Sequence, residues 1–194
     1  MAIKGLKNLH YAVITQEDKT TTTYSVPKPL GPAMALGIQP SINRANLRAD
    51  DGVLFTDAAK GPIAITLNTA YLEPEVEAEI LGKTIHANGL MSDNVNDVQP
   101  YIAIGGEAES ARGGSEFFWL YRVKLAPAEE NRETKQETPS YQTANLSGEA
   151  IPRIHDGEEK IKAWNQDPSI TDKTVFDEWF TKVINKDWAP TPTV

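Results

Sequence analysis

Cysteine is absent from the 194 residues, which excludes disulfide staples, thiolate nucleophiles and cysteine-ligated metals together. Histidine is scarce. His10, His86 and His155 stand in no metal-ligand or nucleophile–base spacing, and each reads as a surface or packing residue. No Gly-x-Ser-x-Gly elbow, Walker lysine–serine pair or dinucleotide glycine spacing occurs. No apolar run approaches the roughly 20 residues of a membrane-crossing helix. Positive charge is in deficit: 19 Lys and Arg face 27 Asp and Glu, for a net charge of -8, whereas DNA and anionic membranes are gripped by basic surfaces. The opening MAIKGLKNLH lacks the features of a secretory leader, so synthesis in a cytoplasm is the expectation.

What is present is an ordinary globular composition, 40% hydrophobic, of a length that fits one domain with a tail or insertion. Residues 9–15, LHYAVIT, read as a strand. The polar, threonine-rich run that follows and YSVPKPLGP read as an extended N-terminal arm over 15–32. Residues 33–43 alternate with period two. Met34, Leu36, Ile38 and Ile42 point one way, and Ala33, Ala35, Gly37, Gln39, Ser41 and Asn43 the other. Residues 62–69 repeat the pattern, with Ile63, Ile65 and Leu67 set against Ala64, Thr66 and Asn68. Pro40 calls for a sheet edge or a bulge, because it cannot donate to a ladder. With Asp51-Gly52 as the turn signal between them, the two runs form a long hairpin. None of the outward-facing residues just named is ionisable, which is unusual for a strand facing water.

Pro74 opens a short helix over 74–81, closed by Gly82. Its neighbourhood holds Glu73, Glu75, Glu77 and Glu79, but residues two apart do not converge on a helix, so a solvated face is expected rather than a metal site. Residues 105–114 read as a glycine-bounded turn. Residues 116–125, EFFWLYRVKL, form a strong strand with Phe117, Trp119, Tyr121, Val123 and Leu125 on one side. A charged loop spans 126–139, and a strand covers about 140–151. An amphipathic helix follows over 172–185, striped by Val175, Phe176, Trp179, Phe180, Val183 and Ile184, with Asp172 as cap. Trp119 and Trp179 fit core roles. The expected organisation is a β-domain over 1–152 with its arm, a helical extension over 153–186 and a flexible tail over 187–194. With no catalytic constellation assembled and no cofactor implied, the chain reads as a mostly β structural or binding protein.

Several stretches resemble the major tail protein family of long-tailed bacteriophages of Gram-positive bacteria: GLKNLHY at 5–11, PEVEAEILG at 74–82, PYIAIG at 100–105, FFWLYRVKLAPA at 117–128 and EENRETKQETPSYQT at 129–143. They run in the family's order from Gly5 to about Pro152, and Trp179-Phe180 fits its ending. The resemblance implies an antiparallel β-sandwich or rolled sheet with a flanking helix and a C-terminal helix. Its hairpins join an inter-subunit β-barrel. Six copies close into a ring, and rings stack on a tape-measure protein between a tail terminator and a distal tail protein. The product is a virion tail, assembled in the bacterial host, through which DNA passes without specific binding.

Under that resemblance the strands at 33–43, 62–69, 116–125 and 140–151 are the barrel strands. The expected lumen-facing residues are Gln39, Ser41, Asn43, Thr66 and Asn68, and Arg122 and Lys124 must turn outward or pair with acids. Loops at 15–32, 44–60 and 126–139 reach neighbouring subunits or rings, carrying Asp50, Asp51 and Asp57 in one and Glu129, Glu130, Arg132 and Lys135 in another. Two other readings remain open at this stage: the tube protein of a phage-tail-like bacteriocin, and a monomeric carbohydrate-binding β-sandwich that uses exposed tryptophans.

Overall fold

The computed structural model describes residues 2–49, 52–127 and 143–190. Asp50, Asp51, Glu129, Glu130, Arg132 and Lys135 lie outside the described residues. In chain order the elements are β1 (Ile3–Glu17), β2 (Thr22–Tyr24), β3 (Lys28–Pro29), β4 (Ala33–Ala49), β5 (Gly52–Thr69) and α1 (Pro74–Leu81). Then come β6 (Thr84–Ile85), β7 (Met91–Ser92), β8 (Ile102–Ser110), β9 (Ser115–Pro127), β10 (Ala144–Ala150), β11 (Lys160–Trp164) and α2 (Thr174–Asp177). The fold is mainly β and antiparallel. One nine-stranded sheet has the order β2-β1-β8-β9-β10-β5-β4, with β3 added on β1 and β11 on β9, and β6 pairs with β7 apart from it. The sheet rolls over on itself without closing a barrel.

Both faces of the middle of the sheet are covered. The inner cluster joins Leu9, Tyr11, Ile63, Ile65, Leu67, Ile102, Leu120, Val123 and Leu125 with Ile80 and Leu81 of α1. The outer cluster joins Phe117, Trp119 and Tyr121 with Val175, Trp179 and Ile184 of the C-terminal segment. Each fully buried Ile or Leu is worth about 1.5–3 kcal/mol. A slip of β5 by one residue would turn Ile63, Ile65 and Leu67 out together, and this holds the register.

Helix α1 forms where the local signals placed it. Pro74 occupies the first turn, and Gly82 ends the helix at φ 72°, in the left-handed region where a Cβ is costly. Four sequence expectations need correction. The segment 15–32 is not an outlying arm. Asp18 accepts hydrogen bonds from the Thr20 and Thr21 amides at 2.7 and 2.9 Å, which turns the chain so that β2 and β3 lie back along β1, and Leu30 is only 1% exposed. The stretch 105–114 is mostly strand. Strand β8 runs on to Ser110, and only the residues around Gly113 and Gly114, at φ 89° and 71°, make the turn.

The third correction concerns β9. Ile102 pairs with Val123 but Ile104 with Leu120, so β9 carries one extra residue there. A bulge of this kind reverses the side-chain alternation. Trp119 and Tyr121 consequently face the outer cluster while Val123 and Leu125 face the inner one.

The fourth is the C-terminal helix, which shrinks to the four residues of α2. The Trp119 indole donates to the Trp179 carbonyl at 3.1 Å, and the Tyr121 hydroxyl to the Ile184 carbonyl at 3.0 Å. A continuing helix would have used the first of these carbonyls itself. The aromatic stripe is instead buried by successive tight turns, a conformation its aromatic, β-branched and Asn/Thr residues accept readily. Strand β11 also lies in the region expected to be helical. Trp188 is tied down as well, its indole donating to Glu178 at 3.1 Å.

Candidate assembly surface

The β4–β5 hairpin is the feature that leaves the body of the molecule. Its strands are 17 and 18 residues long, about 55 Å at the usual rise per residue. At the root, Ile63, Ile65 and Leu67 are buried and Leu36 and Ile38 pack beside them. From Gln39 to Arg48, and from Leu54 to Lys60, every side chain is exposed. Residues 44–49 and 52–60, expected as part of a loop, therefore form a two-stranded ribbon, paired as far as Ala49 and Gly52. Pro40 meets both of its sequence expectations: β4 is an edge strand, and a register shift lies between Pro40 and Ile42.

The ribbon is apolar for a solvent-exposed element. Ile42, Leu47, Leu54 and Phe55 are 56, 59, 57 and 66% exposed, and Leu47 stands opposite Phe55. An isolated two-stranded ribbon is marginal in water, and grouped exposed apolar side chains mark interaction surfaces. Among the described residues this ribbon has nothing to pack on.

The exposed face of the sheet behind the ribbon is nearly uncharged. Cross-strand register sets Ala35, Asn68 and Asn145 in one row, Gly37, Thr66, Ser147 and Ala126 in the next, and Gln39, Ala64, Glu149 and Lys124 in a third. Asn68 donates to Asn145 across the ladder. Farther along, Ser41 donates to the Pro62 carbonyl at 2.8 Å. A Cβ built on Gly61 would meet both Ser41 and Asn43, so those two side chains share one face. Gln39, Ser41, Asn43, Thr66 and Asn68 thus fall on one continuous side, all exposed except Asn68, which is half-buried. Asp57 stands opposite Ala45 on that same side of the ribbon.

The two cations raised by the sequence are accommodated. Arg122 lies 2.7 Å from a Glu17 carboxylate oxygen and 4.3 Å over the Tyr101 ring. Lys124 faces Glu149 across the β9–β10 ladder. The first half of β9, by contrast, is covered on both faces, so residues 116–121 take no part in the exposed sheet. Only the end of β9 joins β10, β5 and β4 there.

Both ends of this four-strand surface are open. Among the described residues, strand β4 pairs with β5 and with no other strand. Strand β8 accompanies β9 no farther than Val123, so among the described residues no strand pairs with 124–127 on the side away from β10. Unpaired edges of this kind template pairing with another chain.

A buried ionic cluster anchors the region beneath the ribbon. Arg153 is 3% exposed, lies 3.8 Å over the Tyr121 ring and binds Asp156 through Nε at 3.0 Å and Nη2 at 2.5 Å. Glu158 and Lys186 extend the cluster. Burial alone would raise the Asp156 carboxyl, but the Glu158 amide and the Arg153 guanidinium outweigh it and hold it below its usual range. Burial pushes the neighbouring Tyr24 hydroxyl up to about 12. Sequence reading missed this cluster, since a lone arginine beside a turn at Asp156-Gly157 carries no motif.

The remaining chemistry-bearing residues stay apart. His10 stacks on Phe180 with centroids 4.4 Å apart, His86 bonds Ser92 and His155 bonds Thr22. Among the described residues, no three His, Asp or Glu side chains come together as a metal site. Comparison with protein-family models and with curated proteins returns no match.

Proposed function

We propose that this chain is a tail-tube subunit of the phage kind, a non-enzymatic block whose copies close into rings and stack into a hollow tube. The observation that carries the reading is the β4–β5 hairpin. It extends an exposed, nearly neutral sheet face beyond the body of its own subunit, with an unpaired edge on either side. In the proposed ring, the β4 edge of one copy pairs with the open edge at 124–127 of the next. The exposed faces of β4, β5, β10 and the end of β9 then line a common channel. Such a contact is heterologous, and it gives a closed ring when the rotation closes, here with six copies.

The lining chemistry suits passage of a polyanion. Duplex DNA carries a charge about every 1.7 Å, so a basic wall would make a new contact at every ring. Gln39, Ser41, Asn43, Thr66 and Asn68 offer neutral polar groups instead, and Lys124 is offset by Glu149. A tape-measure protein, a terminator and a distal tail protein are the partners that such a tube requires.

Cryo-electron microscopy of the concentrated protein tests the reading. Rings or tubes with Gln39 and Thr66 on the inner wall are expected. A protein that stays monomeric at every concentration, or tubes with these residues outside, would overturn it.

A further inference from the structure

The two sides of the overhanging ribbon differ in charge. Ile42, Arg44, Asn46 and Arg48 alternate along one side of β4, and Lys60 stands opposite Ile42 on that same side. Asp57 belongs to the other side, opposite Ala45. The described cations of the ribbon therefore all look one way and its described carboxylate the other, because strand side chains alternate. At the ribbon's root this basic side overhangs an open groove lined by Lys60, Gly157, Glu158, Glu159, Ile161 and Lys186. Lys60 has the Glu159 carboxylate 3.6 Å away. Arg44 and Arg48 lie farther out, beyond that groove, and are exposed.

We propose that Arg44 and Arg48, with Ile42 beside them, seat the ribbon on an acidic surface of a second copy of this chain. The argument is charge complementarity. The chain as a whole carries -8, yet the charges described on this side of the ribbon are all cations, so a second copy offers the opposite sign. Exposed carboxylates are available for it, Glu73 and Glu75 at the start of α1 among them. The apolar Ile42 gives the contact a desolvated centre, and the charges around it give orientation, which is how electrostatics serves an interface best. The other side of the ribbon, which carries Asp57 and no described cation, stays free for the channel. This inference rests on the tube reading and adds which side of the hairpin carries the subunit contact.

The test compares wild-type protein, R44E/R48E and R44K/R48K by sedimentation and negative-stain microscopy over a range of NaCl concentrations. Circular dichroism checks that each variant is folded. The expected result is that R44E/R48E is folded but needs a protein concentration about tenfold higher or more to assemble. R44K/R48K should assemble like wild type, and wild-type assembly should weaken with salt as the Debye length shortens from about 10 Å at 0.1 M. Assembly of R44E/R48E at the wild-type concentration overturns the inference and leaves the tube reading standing. Normal assembly of R44E/R48E with loss of a bound duplex oligonucleotide assigns the arginines to nucleic acid and overturns it equally. A wild-type protein that never assembles overturns both.

Discussion

Leu47 and Phe55 stand directly opposite each other near the end of the β4–β5 ribbon, and each leaves more than half of its surface in solvent. A cross-strand apolar pair contributes about 0.2–1 kcal/mol to its own ladder, too little to explain why it is held so far from the core. L47S/F55S should therefore change monomer stability by no more than about 1 kcal/mol in urea unfolding. The same variant should assemble poorly in sedimentation assays. Tubes as abundant as wild type would show that the pair serves only the ribbon.

Gly105 lies flat against an indole. A Cβ built there would come 2.5 Å from ring atoms of Trp119, which is fully buried and also hydrogen-bonded to the C-terminal segment. Gly105→Ala should cost roughly 1–3 kcal/mol through overpacking, read as a lower urea midpoint at unchanged slope.

The buried Arg153 pairs with both Asp156 and Glu158. Arg153→Leu removes the guanidinium and leaves Lys186 as the remaining lysine near the two carboxylates, and should cost roughly 1–3 kcal/mol. The pH dependence has a definite sign. The Asp156 carboxyl titrates below its ordinary value of 3.8 in the folded chain, so its contribution is present above that value and is lost as pH falls through the folded one. Thermal melts of the wild type should therefore drop steeply below about pH 4. In Arg153→Leu that acid limb should be shallower.

Gln39 and Thr66 lie on adjacent rows of the exposed sheet face. Q39K/T66K should leave folding and tube formation intact, since both side chains are exposed. The added cations should make assembled tubes retain a short DNA duplex, with a log–log salt slope of about 0.9 per phosphate contacted. Tubes that ignore DNA at low salt would place these residues away from the channel.

Local signals were read correctly where a few neighbouring residues decide the outcome. Pro74 and Gly82 bound α1 because proline and glycine act on their own backbone. Ile63, Ile65 and Leu67 set the buried side of β5 through period two alone. The uncharged side running through Gln39, Ser41, Asn43, Thr66 and Asn68 was legible for the same reason. The misreadings share a different cause. The bulge in β9 belongs to its register with β8, which no pattern along β9 alone records. The C-terminal helix gives way because Trp119 and Tyr121 take backbone carbonyls of that segment from across the fold.

Taken alone, the sequence determined the strand-rich class, the place of α1, the buried side of β5 and the scarcity of charge on the exposed side, since all of these follow from residue type and spacing along the chain. Only the tertiary structure decided that 44–49 and 52–60 form an overhanging ribbon rather than a loop, that its cations and its described carboxylate part onto opposite sides, and that Arg153 closes a buried ionic cluster. Those features arise from register and from contacts between residues distant in sequence, and a backbone hydrogen bond or a bulge leaves no periodic trace in the residues that it joins.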